Sequence, residues 1–465
     1  MPYRRFALVP LLVATIACST LTRGLPLVVT PAPTLRPSRT PTPSPTSAPT
    51  LAPPAFVPPE CSQVPLATIP AATVLAEPTP GAEANPPIEI SEQRAVFREL
   101  KSTIEEVYLY PDFNGVDWPA LVATTQSHID AGLDTEAFYR ELEGFVAALN
   151  DEHSYFESPV QVAASEAELA GTADFVGIGV LVEPLPEKGR LAILATFPGS
   201  PADRAGLQAH DSILAVDGLP VAEDGQAFPQ RVRGPECSAV VLTVQSPGEP
   251  PRLVEVVRQR FVASSPVLAQ LVPTTDGSRI GYIFVPTFFD ESIPAQVRHA
   301  LVDFGTLDGL ILDNRMNGGG SSTVVEPILA FFTSGTLGHF VSRTAERPLE
   351  VAADPVHNSQ DVPLVILVGE DTVSFGEIFS GALQDIGRAS IVGQTTLGNV
   401  ETLHGYEQRD GSRVWIAEER FQPLHTEADW ETQGIVPDVE AYADWDTFTL
   451  ETDPGVAAAL KLLGH

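Results

Sequence analysis

Two short stretches of this chain carry residues able to do chemistry. In DTVSFGEIFSGALQD, residues 371 to 385, Ser374 stands three residues ahead of Glu377 at the head of an apolar-periodic run. That S-x-x-E spacing is the signature of a helix capping box, in which the serine has only a structural task. A serine at a helix N-terminus after a buried strand also suits a nucleophile, because the dipole and the free N–H groups there favour a developing oxyanion. The residues alone leave both readings open. DNRMNGGGSS, residues 313 to 322, follows a second apolar strand, and Gly318, Gly319 and Gly320 let backbone N–H groups approach a ligand closely. It lacks the G-K-[ST] ending of a phosphate-binding loop. No Cys/His cluster has metal-ligand spacing, so the expectation is no metal and no cofactor.

The elements that must position these groups change in kind along the chain. Residues 91–165 carry the period of a helical module, in runs such as RAVFRELKSTIEEVYLY and TEAFYRELEGFVAALN. Residues 170–262 break into short strands and turns. Here FVGIGV and the segment from Gly199 to Val221, with its PGSPADRAGL and VDG, resemble a PDZ domain, with His210 where the usual run has glycine. That resemblance implies that Gly177, Ile178 and Gly179 take a peptide's C-terminal carboxylate on backbone N–H groups, while an exposed strand edge accepts the peptide. Residues 263–465 alternate apolar strands (RIGYIFVPTF, DGLILDNR, VPLVILVG, ASIVG) with amphipathic helices, which describes a helix-covered sheet. The fold class is therefore α/β and α+β, multidomain.

DxRxNxGG as DNRMNGGG, SxxEIFxxALQD as SFGEIFSGALQD, and a closing GIVPDV occur in that order behind the PDZ-like segment. Together they resemble the carboxyl-terminal processing (tail-specific) serine peptidases, whose wider family includes the tricorn core protease. The resemblance spans roughly residues 95 to 445. It implies a ClpP/crotonase-like β-α core with an inserted PDZ domain and peptide hydrolysis through an acyl-enzyme. It makes Ser374 the nucleophile and the N–H groups of Gly319 and Phe375 the oxyanion hole. Asp385 matches an acid of the motif and is expected to support, with Arg388 three residues on as its compensating charge. Asp313 and Arg315 read as an ion pair under the oxyanion loop. One departure matters: where the processing branch carries a lysine base, in a GKG-like step, this chain has Asn399 in TTLGNVE, and a neutral amide cannot take a proton. Its only lysines are Lys101, Lys188 and Lys461, none placed in sequence to reach Ser374. The tricorn branch implies a substitute, a histidine just before the PDZ domain and a late glutamate, which fall on His153 and Glu431 here; His404 and His425 stay open as the base.

The first 18 residues, MPYRRFALVPLLVATIAC, read as an export signal. Ala17-Cys18 resembles the processing site of bacterial lipoproteins, in which the cysteine is lipidated, and Thr15 in place of the usual Leu leaves plain secretion open. Residues 19–90 include the Pro/Ser/Thr tract 31–54, an extended spacer. Cys61 and Cys237, each in a PECS tetrapeptide, are a possible disulfide in an exported chain. The chain has 465 residues, 43% hydrophobic and 19% charged, the composition of globular domains with a large core. A net charge of -33, from 60 acidic against 27 basic residues, excludes nucleic acid and electrostatic attachment to anionic lipid. The sequence thus points to an exported serine endopeptidase, membrane-anchored by lipid or secreted, acting on unfolded or C-terminally exposed protein segments. The alternative is a PDZ-bearing peptide-binding protein without catalysis.

Overall fold

The computed structural model describes Cys61 and residues 84–151, 153–169, 174–262 and 264–465; the export signal, Cys18 and the Pro-rich tract lie outside them. Helices α1 (Ile90–Val107), α2 (Trp118–Ala131) and α3 (Thr135–Ala147) come first. Val96, Phe97, Leu100 and Ile104 recur at three- and four-residue spacing on α1, so one face is apolar and packs with Phe138, Leu142 and Phe145 of α3. A short strand, β1 (Tyr155–Glu157), and α4 (Pro159–Leu169) follow.

Next come β2 (Asp174–Gly177), β3 (Val180–Leu185), β4 (Arg190–Thr196), the short helix α5 (Pro201–Arg204) and β5 (Ser212–Val216). They are followed by β6 (Leu219–Pro220), β7 (Ala222–Glu223), β8 (Gln226–Ala227), β9 (Ala239–Gln245), β10 (Arg252–Val257) and β11 (Gln259–Val262). The order β10-β9-β5-β4-β3 leaves β3 at the end of its sheet. His210 has φ 75°, which explains the glycine usual there, and its buried ring lies 4.2 Å from that of Trp445. Cys61 and Cys237 are joined by a disulfide with their Cα atoms 5.2 Å apart.

The last part is built from β12 (Leu268–Val272), β13 (Ile280–Phe284), α6 (Ile293–Phe304), β14 (Gly309–Asp313), α7 (Ser322–Phe332), β15 (Gly335–Val341), β16 (Glu346–Val351) and β17 (Leu364–Val368). The chain continues through α8 (Phe375–Asp385), β18 (Ser390–Gly393), β19 (Glu401–Glu407), β20 (Arg413–Pro423), α9 (Trp430–Gln433), β21 (Val439–Glu440) and α10 (Pro454–Leu462). One sheet has the order β12-β13-β14-β17-β18-β21, parallel except for β12. Its central strands β13, β14 and β17 are buried on both faces, which is why they read as unbroken apolar runs. Ile283, Leu310, Leu312 and Ile366 meet α6, α7 and α8 on one face, while Phe284, Ile311, Val365 and Leu367 meet Val456 and Ala459 of α10 on the other.

A second, antiparallel sheet, β1-β20-β15-β16 with β19 beside β20, was not visible as such in the sequence. It joins the helical module to the core: Val414 and Ile416 at one end of β20 lie among the residues of α1 and α3, and Phe421 near the other end lies with α8. Because β1 pairs with β20 at Tyr155↔Trp415 and β19 pairs with it from Glu401↔Arg420, the residues just before β1 and at the start of β19 are brought to one place.

Candidate active site

Ser374 stands where β17 turns into α8. Its φ of 55° and ψ of -122° put a residue with a Cβ in backbone territory that glycine normally fills. Strain of this kind, about 1–3 kcal/mol, persists only where the surroundings over-determine it. They do so here. Val373 N–H donates to Asn317 O at 3.0 Å, Thr372 Oγ1 donates to Asn314 O at 2.8 Å, and Asn314 Nδ2 donates to Gly376 O at 2.8 Å. The serine turn is thereby stitched to the loop after β14. A strained strand-to-helix turn presents its hydroxyl above the sheet, the arrangement of nucleophile elbows. Ser374 Oγ makes no hydrogen bond to the first-turn amides, so the capping box rests on its other half, Ser374 N–H donating to Glu377 Oε2 at 3.1 Å.

Glu377 does more than the sequence suggested. Fully buried, it also accepts from Thr396 Oγ1 at 2.5 Å and from Gly398 N–H at 2.9 Å, tying the serine turn to the loop that carries Asn399. Burial pushes its carboxyl up to about 7, against the pull of those three donors.

The glycine loop comes up against the serine. A Cβ on Gly319 would lie 2.8 Å from Ser374 Cβ and 3.2 Å from Phe375 N, at a φ of 92°, so only glycine fits. Phe375 N–H heads α8, where no carbonyl of the helix lies behind it. The expected second donor is placed differently: Gly319 N–H donates to Asn317 Oδ1 at 3.0 Å. The side chain two residues back closes an Asx turn, a local bond that an asparagine readily makes. Gly319 therefore adjoins the serine, but its N–H is satisfied within the loop.

His153 follows the helical module and precedes β1. Its N–H and that of Ser154 donate to Asp151 Oδ1 at 3.0 and 2.8 Å, and the buried imidazole places Nε2 2.8 Å from Glu431 Oε1. Glu431 lies in the first turn of α9, and its Oε2 accepts from Val400 N–H at 2.7 Å and Glu401 N–H at 3.1 Å. The two residues directly after Asn399 thus hold a carboxylate. Burial by itself would lower the His153 pKa, but the hydrogen bond and charge of Glu431, with Glu401 and Asp151 behind it, hold it above its usual value. Glu431 in turn is kept below the usual carboxylate range, against its burial, by His153 and the two amides. With Nε2 engaged by Glu431, Nδ1 is the ring nitrogen left to take a proton.

One neighbour escaped the sequence reading. Glu401 Oε2 lies 3.7 Å from His153 Nε2, and its Oε1 accepts from Tyr110 Oη. Burial, then the charge of Glu431, push this carboxyl up to about 7.

The other candidates are occupied elsewhere. His404 bonds Glu419 at 3.0 Å, and Glu419 also holds Arg347 Nε at 2.9 Å. Asp385 Oδ2 and Oδ1 accept from the N–H groups of His425 and Thr426, both at 2.8 Å, and so pin the loop leading to α9. Arg388 does not compensate Asp385 as expected; its guanidinium donates to the carbonyls of Phe332 and Ser359 at 2.9 and 2.8 Å, the free acceptors of a helix end and a turn. Lys101 pairs with Glu105, Lys188 with Asp444 and Asp446, and Lys461 is exposed on α10. Arg315 Nε donates to Asp313 Oδ1 at 2.9 Å and Nη1 to Asp453 Oδ1 at 3.1 Å, with Tyr282 Oη on Asp313 at 2.7 Å, a buried network below the glycine loop. In the PDZ-like segment Ile178 is buried and its carbonyl accepts from Ala202 N–H at 2.9 Å, while Gly179 O takes Phe197 N–H at 3.0 Å, so the Gly177-Ile178-Gly179 turn is fixed beside the open edge of β3.

Comparison with known proteins follows the same division. Residues 279–441 match Peptidase family S41, and residues 197–246 match the PDZ domain. A carboxyl-terminal-processing protease of Synechocystis sp. is 31% identical over 388 residues, covering 81% of this chain and 88% of the relative. The chain belongs to peptidase family S41. It is therefore a serine-type peptidase, a hydrolase with the S41 β-α core and a PDZ domain. Another S41-like relative, carboxyl-terminal-processing peptidase 3 (chloroplastic) of Arabidopsis thaliana, is 26% identical over 81% of this chain and 74% of its own length. Among solved structures, a photosystem II D1 C-terminal processing protease superposes with a TM-score of 0.53 at 27% identity, covering 80% of this chain and 97% of that one. Among the described residues, no helix of this S41 member is long and apolar enough to cross a membrane.

Proposed function

We propose that this S41 member cleaves protein segments with free C-termini outside the cytoplasm, using Ser374 as nucleophile, His153 as base and Glu431 as the group that orients it. The observation that carries the reading is the buried 2.8 Å bond between His153 and Glu431, anchored on the two residues after Asn399. It supplies a base where the processing branch would have its lysine. Ser374 Oγ attacks the scissile carbonyl as its proton passes to His153 Nδ1, and the imidazolium is stabilised through Nε2–H by Glu431. Phe375 N–H receives the oxyanion, joined by Gly319 N–H once Asn317 releases it. Collapse returns the proton to the leaving amine, and a water activated by the same histidine then hydrolyses the ester.

The PDZ domain would select the substrate by its end, adding the peptide to β3 with the terminal carboxylate on Gly177 to Gly179. A peptide with an apolar free C-terminus is therefore expected to bind and be cleaved at least tenfold better than its C-terminal amide, measured by fluorescence anisotropy and turnover; equal values would remove this role. A protein that only binds peptides predicts the binding difference without turnover.

The same proposal places the enzyme on a membrane through lipid on Cys18, with the Pro/Ser/Thr tract as stalk. Wild type should partition into the detergent phase and Cys18→Ala into the aqueous phase or remain a precursor. Unchanged partitioning of the variant would contradict the anchor.

A further inference from the structure

The neighbourhood of His153 holds one more acid than a Ser-His-Glu arrangement needs. Glu401 is 4% exposed, and its Oε2 has no hydrogen-bond partner although it points at the imidazole from 3.7 Å. An unpaired buried carboxylate oxygen costs free energy unless something meets it. His153 Nε2, Glu401 Oε2 and a Glu431 oxygen all lie within 4.8 Å of one another. We propose that His153, Glu401 and Glu431 form a three-ligand site for a divalent transition cation of the Zn2+ type, whose occupation switches the peptidase off.

The chemistry of the donors carries this. One imidazole and two carboxylates, with a fourth position open, is a ligand set that Zn2+ accepts, whereas Ca2+ and Mg2+ prefer sites made of oxygen alone. Donors about 2.0–2.2 Å from a tetrahedral ion stand roughly 3.2–3.6 Å apart. The separations of 2.8 Å to Glu431 and 3.7 Å to Glu401 bracket that span, and the three ligand atoms all lie within 4.8 Å of one another. Two carboxylates would balance the charge of the ion. The outer contacts that orient metal ligands are also present: Tyr110 Oη bonds Glu401 Oε1, and the Val400 and Glu401 amides bond Glu431 Oε2. In sequence the three ligands are scattered over 153, 401 and 431, and spacing could not reveal them.

The inhibitory consequence rests on the proposed role of His153. A neutral imidazole bound to metal through Nε2 carries its remaining proton on Nδ1 and has no lone pair to accept the proton of Ser374. Glu431 is withdrawn from orienting the ring at the same time.

The site itself is tested without catalysis, on Ser374→Ala full-length protein freed of metal by chelator and titrated with Co2+. One equivalent giving the ligand-field bands of a four-coordinate ion, displaced by Zn2+, is expected. Glu401→Gln, Glu431→Gln and His153→Ala should each weaken binding more than about tenfold, with folding checked by circular dichroism. Absence of the bands, or their persistence in every folded ligand variant, overturns the site. In wild type, Zn2+ at the same stoichiometry should block fluorophosphonate labelling of Ser374, reversibly with EDTA. Labelling that is unchanged by bound Zn2+ overturns the switch. Co2+ bands in a protein that never labels would leave the metal site standing and remove the proposed catalytic reading instead.

Discussion

Ser374→Ala is expected to lower kcat/KM by roughly 10⁴- to 10⁶-fold, the loss seen when a serine nucleophile is removed. Ser374→Gly is the more telling variant, because it separates chemistry from structure. It should be equally inactive yet more stable than wild type by about 1 kcal/mol, the relief of about 1–3 kcal/mol of backbone strain less the roughly 0.5–1 kcal/mol of chain entropy that glycine costs. A hydroxyl that capped the first turn would offset only a few tenths of a kcal/mol of that gain, the cost of replacing a cap by glycine. Thermal unfolding and peptidase assays on the same two variants decide it. An active Ser374→Ala would return Ser374 to the capping role, and a destabilised Ser374→Gly would contradict the strain at its backbone.

His153→Ala should cost about as much activity as loss of the serine, and Glu431→Gln roughly 10²- to 10⁴-fold, since groups acting as one unit fail together. The pair also predicts a pH dependence. Only neutral His153 can accept the proton, and Glu431 holds its pKa above the ordinary value, so activity is lost as pH falls through that raised pKa. The acid limb of kcat/KM should therefore have its midpoint above about 6.5. Removing the Glu431 charge should move that midpoint down, because the imidazolium loses its largest source of stabilisation and keeps only Glu401 and Asp151. The same limb in Glu431→Gln as in wild type would show that Glu431 does not set the base.

Local signals were the legible part of this molecule. Ser374 is announced by S-x-x-E after an apolar strand, the parallel sheet by strands buried on both faces, and the PDZ domain by its run of turn residues, all features decided within a few residues of chain. The site depends on pairings that no local pattern carries. His153 and Glu431 meet across 278 positions, and they were found only through the resemblance to a histidine-using branch of the family. Glu401 went unnoticed because it opens a strand, ETLHGYE, whose alternating polar residues look like a solvated face, while β20 and Tyr110 in fact enclose it. Gly319 was placed next to the serine by its motif, but the hydrogen bond that occupies its N–H comes from a side-chain rotamer of Asn317, which sequence does not encode visibly. Strain at Ser374 likewise has no sequence signature, since a serine reads as an ordinary cap until its φ is known.

Activation of Ser374 by His153 in place of a lysine can be read from fluorophosphonate labelling followed by peptide mapping. A single adduct on Ser374 is expected in wild type, none in His153→Ala, and undiminished labelling in Lys101→Ala, Lys188→Ala and Lys461→Ala. Labelling that persists in His153→Ala, or disappears with His404→Ala or any of the lysines, would contradict it.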